Sequence, residues 1–313
     1  MQTLCSTSNI IGILDKRYNL LERLDYGATS NVYKVLDTET KEIKVAKVFS
    51  EDKSNEFEKE LNIIKSVSDL PYVIKFYTYG EGHLVIEETA FKRKYIILEY
   101  AKGSLFKFIG TLKEGFSENT CKYIFNQLIL AIKYMHEKGI CHRDLKLENT
   151  LLVGNDFSFR LCDFGLSISF LDINNQKIKV SGAAGSPYHY APEILSGRKY
   201  DGERVDIFCA GICLICLVTG KFGFVEASRN DELYKLIMRK KYNDYWDIID
   251  SNKKLSQSFK ELFVKMVAYR PDNRPTIEEI LNSEWLSVIK NANEEELNIL
   301  KNGMINELNK INI

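Results

Sequence analysis

The chain has 313 residues, enough for about two ordinary domains. Hydrophobic residues make up 45% and charged residues 27%, which permits a large core and fits a soluble globular protein. Lys+Arg and Asp+Glu balance at 43 each, so bulk electrostatics point away from a nucleic-acid or polyanion partner.

In chain order, Met1 to Asp15 has no basic n-region and no sustained apolar run, so no secretory signal is expected. No glycine follows Met1 and no prenylation box ends the chain. No stretch reaches the roughly 18 apolar residues of a membrane span. These readings predict a soluble, cytoplasmic protein without a membrane span, and they leave a nuclear location open. Residues 1–17 are read as an N-terminal extension. From Tyr18 to Phe49 the residues alternate as strands do: Leu20 to Leu24, Asn31 to Leu36 and Ile43 to Val48. Turn-prone Asp25-Tyr26-Gly27 and Asp37-Thr38-Glu39 separate them. Phe57, Leu61, Ile64 and Val67 then recur at helical spacing, predicting a helix over Asn55 to Val67. Two further strands are predicted near His83 to Glu88 and Tyr95 to Glu99. The first part is thus a small sheet-rich region with one main helix.

After Gly103 the pattern turns helical. Ser117 can cap a helix whose apolar face carries Ile124, Leu128, Ala131, Ile132 and Met135, and which stops at Gly139. A hairpin with a Gly154-Asn155-Asp156 turn follows. Arg204 to Thr219 is apolar on nearly every side and predicts a buried central helix. The chain has seven cysteines. Cys209, Cys213 and Cys216 lie on one face of that helix, and without a histidine or a C-x-x-C pair they predict packing, with reduced thiols. Helices are expected near Asp231 to Lys240 and Ser256 to Val267, and Thr276 with Glu279 forms a capping box that opens another.

The chemistry concentrates between these elements. His142-Arg143-Asp144-Leu145-Lys146-Leu147-Glu148-Asn149 is followed, a hairpin later, by Asp163-Phe164-Gly165. Asp144 is an acid suited to accept a proton from an attacking alcohol. Asn149 and Asp163 offer hard oxygen ligands of the kind Mg²⁺ takes together with phosphates. Lys146 brings a point charge. The ordered spacing resembles the catalytic core of eukaryotic serine/threonine protein kinases. The resemblance covers about Tyr18 to Leu286 and implies an α+β, bilobal fold, with ATP in the cleft between lobes. The small β-rich N-lobe would span 18–98, the hinge 99–103 and the larger, mostly helical C-lobe 104–286, with 287–313 a C-terminal helical extension.

Several further residues take their roles from the resemblance. Val45-Ala46-Lys47 matches the strand whose lysine holds the nucleotide phosphates, with Glu60, rather than nearby Glu58, as its ion-pair partner. Leu98 looks like the gatekeeper, and the hinge backbone at Glu99 and Ala101 would hydrogen-bond adenine. Val32, Ala46 and Leu151 are similar to the residues that sandwich the ring; plain core packing accounts for the same three. The glycine-rich loop departs from the family pattern, because of its glycines only Gly27 remains. Asp25 and Ser30 place side chains where phosphate should approach backbone N–H groups, which predicts weaker ATP binding.

Gly185-Ser186-Pro187-Tyr188-His189-Tyr190-Ala191-Pro192-Glu193 resembles the peptide-receiving segment. Ser186 matches the hydroxyl that bridges base and catalytic lysine, which with Lys146 implies serine or threonine acceptors in protein substrates. Glu193 should pair with Arg274, and Asp206 should support the catalytic loop. Arg143 implies a docking point for a phosphate on Ser181. Glu148 matches an acid that attracts arginine in some relatives, but Ser104 and Cys216 replace its usual companions, against strict basic preference. Cys162 is expected to pack behind the nucleotide. Leu297, Leu300, Met304, Leu308 and Ile311 recur at helical spacing, so the tail either docks on its own lobe or binds a partner helix. The implied activity is ATP- and Mg²⁺-dependent serine/threonine kinase. The degenerate loop raises the alternative of a low-activity, pseudokinase-like scaffold.

Overall fold

The computed structural model describes residues 10–112, 114–182 and 185–311. The chain forms two compact units, one of Met1–Asp69 with Ile74–Ala101, the other of Leu70–Val73 with Lys102–Ile313.

The first unit is a closed antiparallel sheet with one helix. Its strands are β1 (Gly12–Leu14), β2 (Tyr18–Tyr26), β3 (Ser30–Asp37), β4 (Ile43–Phe49), β5 (Phe76–Ile86) and β6 (Thr89–Glu99), ordered β1-β2-β3-β4-β6-β5. Alternation puts Tyr18, Leu20, Val35, Val48 and Ile97 inside, and closure removes exposed edges. Strand β1 closes the ring by pairing Ile13 with both Asn19 and Val85. Part of the expected N-terminal extension, residues 12–14, is thus a strand of the sheet.

Strand β5 begins at Phe76, seven residues before the expected His83. Gly80 and Gly82 interrupt its pattern for a packing reason. A Cβ at Gly80 would meet the Tyr95 hydroxyl at 2.5 Å, and that hydroxyl donates to Asp15 at 2.7 Å. The strand also ends two residues early. Glu87 and Glu88 both have positive φ, 48° and 66°, as the favoured two-residue hairpin turn requires.

Helix α1 (Ser54–Val67) buries Phe57, Leu61, Ile64 and Val67, the predicted face, together with Glu60. At the far end of β3, fully buried Asp37 accepts hydrogen bonds from Arg17 Nε and Nη2 at 2.9 Å and from the Lys44 ammonium at 2.8 Å.

The second unit is mostly helical. It opens with β7 (Gly103–Ser104), α2 (Leu105–Gly110) and α3 (Glu118–Glu137), the last capped by Ser117. Short strands β8 (Ile140–Cys141), β9 (Thr150–Val153), β10 (Ser158–Leu161) and β11 (Ile168–Ser169) carry the loops between the sequence motifs. Helix α4 (Pro192–Leu195) precedes α5 (Gly202–Thr219), which Asp201 caps and which is buried from Val205 to Val218. Cys209, Cys213 and Cys216 are buried in it, and burial pushes the Cys216 thiol up to about 12. Helices α6 (Glu232–Met238), α7 (Tyr242–Ile249), α8 (Gln257–Met266), α9 (Ile277–Leu281) and α10 (Ser287–Lys290) follow. The sequence reading had no counterpart for α7.

The last helix, α11 (Glu294–Asn309), packs within this unit. Met304 and Leu308 are buried. The Glu307 carboxylate accepts from Ser117 N and Oγ at 2.8 Å and from Thr120 Oγ1 at 2.6 Å, at the start of α3. The tail therefore docks on its own lobe, with the apolar face that a partner helix would have needed. Among the described residues no helix is long and apolar enough to cross a membrane.

Candidate active site

Strand β8 delivers the chain into His142 to Asn149, and Asp206 of α5 fixes the entry. Its carboxylate is fully buried and accepts from His142 N and Arg143 N, both at 2.8 Å. The same group bonds His136 Nε2 of α3 at 2.8 Å. This clamp holds Arg143 at φ 67°, a left-handed conformation that an arginine rarely adopts. Over-determination by neighbours is what sustains such a residue. His142 is oriented as well. Its Nδ1 accepts from Asp144 N at 3.3 Å, so Nε2 carries the hydrogen donated to Cys162 O at 3.0 Å.

Asp144 is 5% exposed and is the hub of the site. Lys146 Nζ donates to its Oδ2 at 2.7 Å and to Ser186 Oγ at 3.0 Å. Ser186 N donates to Asp144 Oδ1 at 3.0 Å. Asn149 Nδ2 donates to Asp144 Oδ2 and to its backbone carbonyl, at 3.1 and 2.9 Å. The carboxylate, the lysine, the amide and the hydroxyl are thus brought together. Burial pulls the Lys146 pKa down, but the hydrogen bond and charge of Asp144, with Asp163 and Glu148, outweigh it and the net shift is upward. Gly185 allows the approach of the Ser186 segment: it sits at φ 100°, and a Cβ there would lie 2.6 Å from Arg143 O.

Asp163 follows β10 and also has positive φ, 64°. Phe164 beside it is buried, edge-on to the His142 ring at 5.5 Å. Cys162 N donates to Asn149 O at 2.9 Å, which ties the backbone just before Asp163 to that of Asn149. The donor set fits Mg²⁺, which takes oxygen ligands. Both hydrogen bonds from the Asn149 amide leave through nitrogen, so its oxygen is the atom that could serve as a ligand.

In the first unit Lys47 Nζ meets Glu60 Oε1 at 2.6 Å, with Glu60 4% exposed. Glu58, the rival carboxylate, pairs with Lys94 at 2.7 Å. Ala46 is fully buried in the sheet core, while Val32 and Leu98 are half-buried. Glu99 N donates to Lys75 O at 2.9 Å, and Ala101 is the unit's last residue. Leu151 belongs to the second unit, on β9, half-buried. In the loop, Gly27 N donates to Ser30 O at 3.0 Å and Tyr26 N to the Asp25 carboxylate at 2.8 Å. Ser30 is buried and Asp25 exposed, so the expected interference with phosphate falls on Asp25.

In the bracing shell, Arg274 forms a two-pronged pair with Glu193 at 2.6 and 2.7 Å. It also donates to Ala268 O and Arg204 O, and lies over the Phe208 ring. Sequence reasoning missed His136, the second histidine on Asp206. Its only signal was a histidine beside Met135 on the buried face of α3. Arg143 donates to Leu166 O at 2.9 Å and Ser181 O at 3.1 Å.

Comparison with known proteins places this geometry in a family. The family model described as protein kinase domain matches residues 18–286. Serine/threonine-protein kinase SAPK3 of Oryza sativa subsp. japonica is 33% identical over 285 residues, 90% of this chain and 80% of that protein. Serine/threonine-protein kinase SRK2C of Arabidopsis thaliana is 35% identical over 193 residues, 61% of this chain and 54% of that protein. Calcium-dependent protein kinase 5 of Plasmodium berghei is 32% identical over 291 residues, 90% of this chain and 48% of that protein. The chain thus spans about half the length of several relatives it matches.

Proposed function

The chain belongs to the protein kinase family, and from that premise we propose that it transfers the γ-phosphate of ATP to serine and threonine hydroxyls of protein substrates. The observation that carries this reading is the Asp144 carboxylate, buried and bonded at once to Lys146, Asn149 and Ser186. Asp144 would orient the acceptor hydroxyl and take its proton as the new O–P bond forms and the bond from phosphorus to the bridging oxygen breaks. Lys146 would offset charge on the transferring group. Asn149 and Asp163 would hold Mg²⁺, which when bound neutralises phosphate charge and aligns the oxygens. Lys47, steered by Glu60, would position the nucleotide phosphates. The Lys146–Ser186 contact and the names of the relatives support serine or threonine over tyrosine.

Transfer of labelled phosphate from ATP to a generic protein, measured beside Asp144→Asn, tests the reading. The variant should lose activity by about 10²- to 10⁴-fold, the span for a positioned general base. Equal signal from both proteins would overturn it, and the same result is what a scaffold without turnover would give.

A further inference from the structure

Two aromatic side chains stand in the open next to the segment that carries Ser186. Tyr188 is 59% exposed and Phe222 is 43% exposed. Their ring centroids lie 6.3 Å apart, with planes tilted by 35°. The buried ring of His189 meets Phe222 edge-on at 5.6 Å. Cys209 of α5 donates its thiol to His189 O at 3.2 Å, which ties this floor to the central helix. Tyr188 is the middle residue of the tight turn Pro187–His189, which starts directly after Ser186. At about 2 Å of rise per residue in such a turn, its backbone advances about 4 Å beyond that of Ser186, whose N–H binds Asp144.

We propose that Tyr188 and Phe222 form a specificity platform that selects substrates with a large apolar side chain, such as Leu, Met or Phe, close to the accepting serine or threonine. The proposal rests on the kinase reading and deepens it. Touching aromatic faces left in water gain free energy when an apolar group covers them. The occupant is a residue of the acceptor peptide, because the platform continues the segment that flanks the catalytic carboxylate. It is an uncharged residue. Burial holds the His189 imidazole down at about 4, so the floor carries no charge near neutral pH.

Serine-acceptor peptide mixtures test this, with each position near the acceptor fixed in turn as Leu, Phe, Arg, Glu or Ala. Wild type should prefer Leu or Phe over Ala by about tenfold at one position. Phe222→Ala and Tyr188→Ala should each cut that ratio to about threefold or less, acting on KM more than on kcat. Tyr188→Glu, at a site exposed enough to accept it, should turn the preference at that same position toward Arg. A flat wild-type profile with measurable transfer, or a preference that survives both alanine variants, overturns the platform and leaves the kinase reading standing. No transfer by wild type to any mixture or to a generic protein overturns both.

Discussion

From His142 to Asn149, the polar groups are tied to partners from several elements: Asp206 on α5, Ser186 on the peptide segment, Cys162 after β10. The turn that joins β2 to β3 is held largely by its own atoms, Tyr26 N on Asp25 and Gly27 N on Ser30, with Thr29 O taking Ser50 N. The contrast has a physical reading. Catalysis by a fixed carboxylate needs donors already in place, because reorganising them during reaction costs free energy. A loop that, on the proposed function, admits and releases a nucleotide needs few outside ties. Substitutions in the first region should therefore be expensive, and in the second tolerated or even helpful.

The largest effect should come from the brace behind the catalytic loop. The Arg274 side chain is fully buried and Glu193 is 13% exposed. Arg274→Ala would leave that carboxylate without its two-pronged partner and empty the space over Phe208. It should cost about 3–5 kcal/mol, the range for breaking a buried pair. Urea unfolding followed by signals from the second unit checks this. A loss within the range of an exposed pair, about 1 kcal/mol or less, would mean that the brace is less coupled to the fold than its geometry implies.

What could be read beforehand divides along the same line. The candidate catalytic set was legible because its members fall within a few positions of one another, and each restricts the chemistry of the next. Glu60 was legible only through the resemblance, and the helix repeat that buries it with Phe57, Leu61 and Ile64 agrees with that choice. The early half of β5 was not, because Gly80 and Gly82 read as breakers until Tyr95 and Asp15 are seen beside them. Strand β1 is three residues long and gains meaning only from its two neighbours. For the tail, periodicity announced an apolar stripe on α11 without naming its cover. Glu307 of α11, bonded to Ser117 and Thr120 at the start of α3, supplies that answer, through contacts 187 or more residues distant in sequence. The Tyr188–Phe222 pair joins two loops and has no local signature at all.

The nucleotide loop yields a smaller effect of opposite sign. Asp25 both adds a negative charge and occupies Tyr26 N, a donor that phosphate could otherwise use. Asp25→Gly removes both obstacles and restores the freedom of approach that glycine gives. KM for ATP should fall by roughly three- to tenfold, the worth of about one hydrogen bond, with little change in kcat. Initial rates across an ATP series decide it. A rise in KM would show that Asp25 shapes the loop for nucleotide instead of obstructing it.

The smallest effect is expected at Ser181, where a regulatory phosphate would dock on Arg143. Arg143 reaches this residue, but through the backbone: its guanidinium donates to Ser181 O and Leu166 O. The segment has other ties that need no phosphate. Tyr200 OH donates to Gly182 O at 2.9 Å, and Val180 and Tyr200 exchange two backbone bonds at 2.9 Å. Because Arg143 already has carbonyl partners, a phosphate on Ser181 would replace contacts as well as add them. Ser181→Ala keeps every one of those backbone bonds, so its phosphotransfer rate should stay within about twofold of wild type, as for a surface substitution with no special partner. Rates of both proteins, with mass mapping of each preparation, make the test. A loss of tenfold or more, in a preparation where wild-type Ser181 carries phosphate, would show that carbonyl anchors are not sufficient and that this part of the second unit is completed by modification.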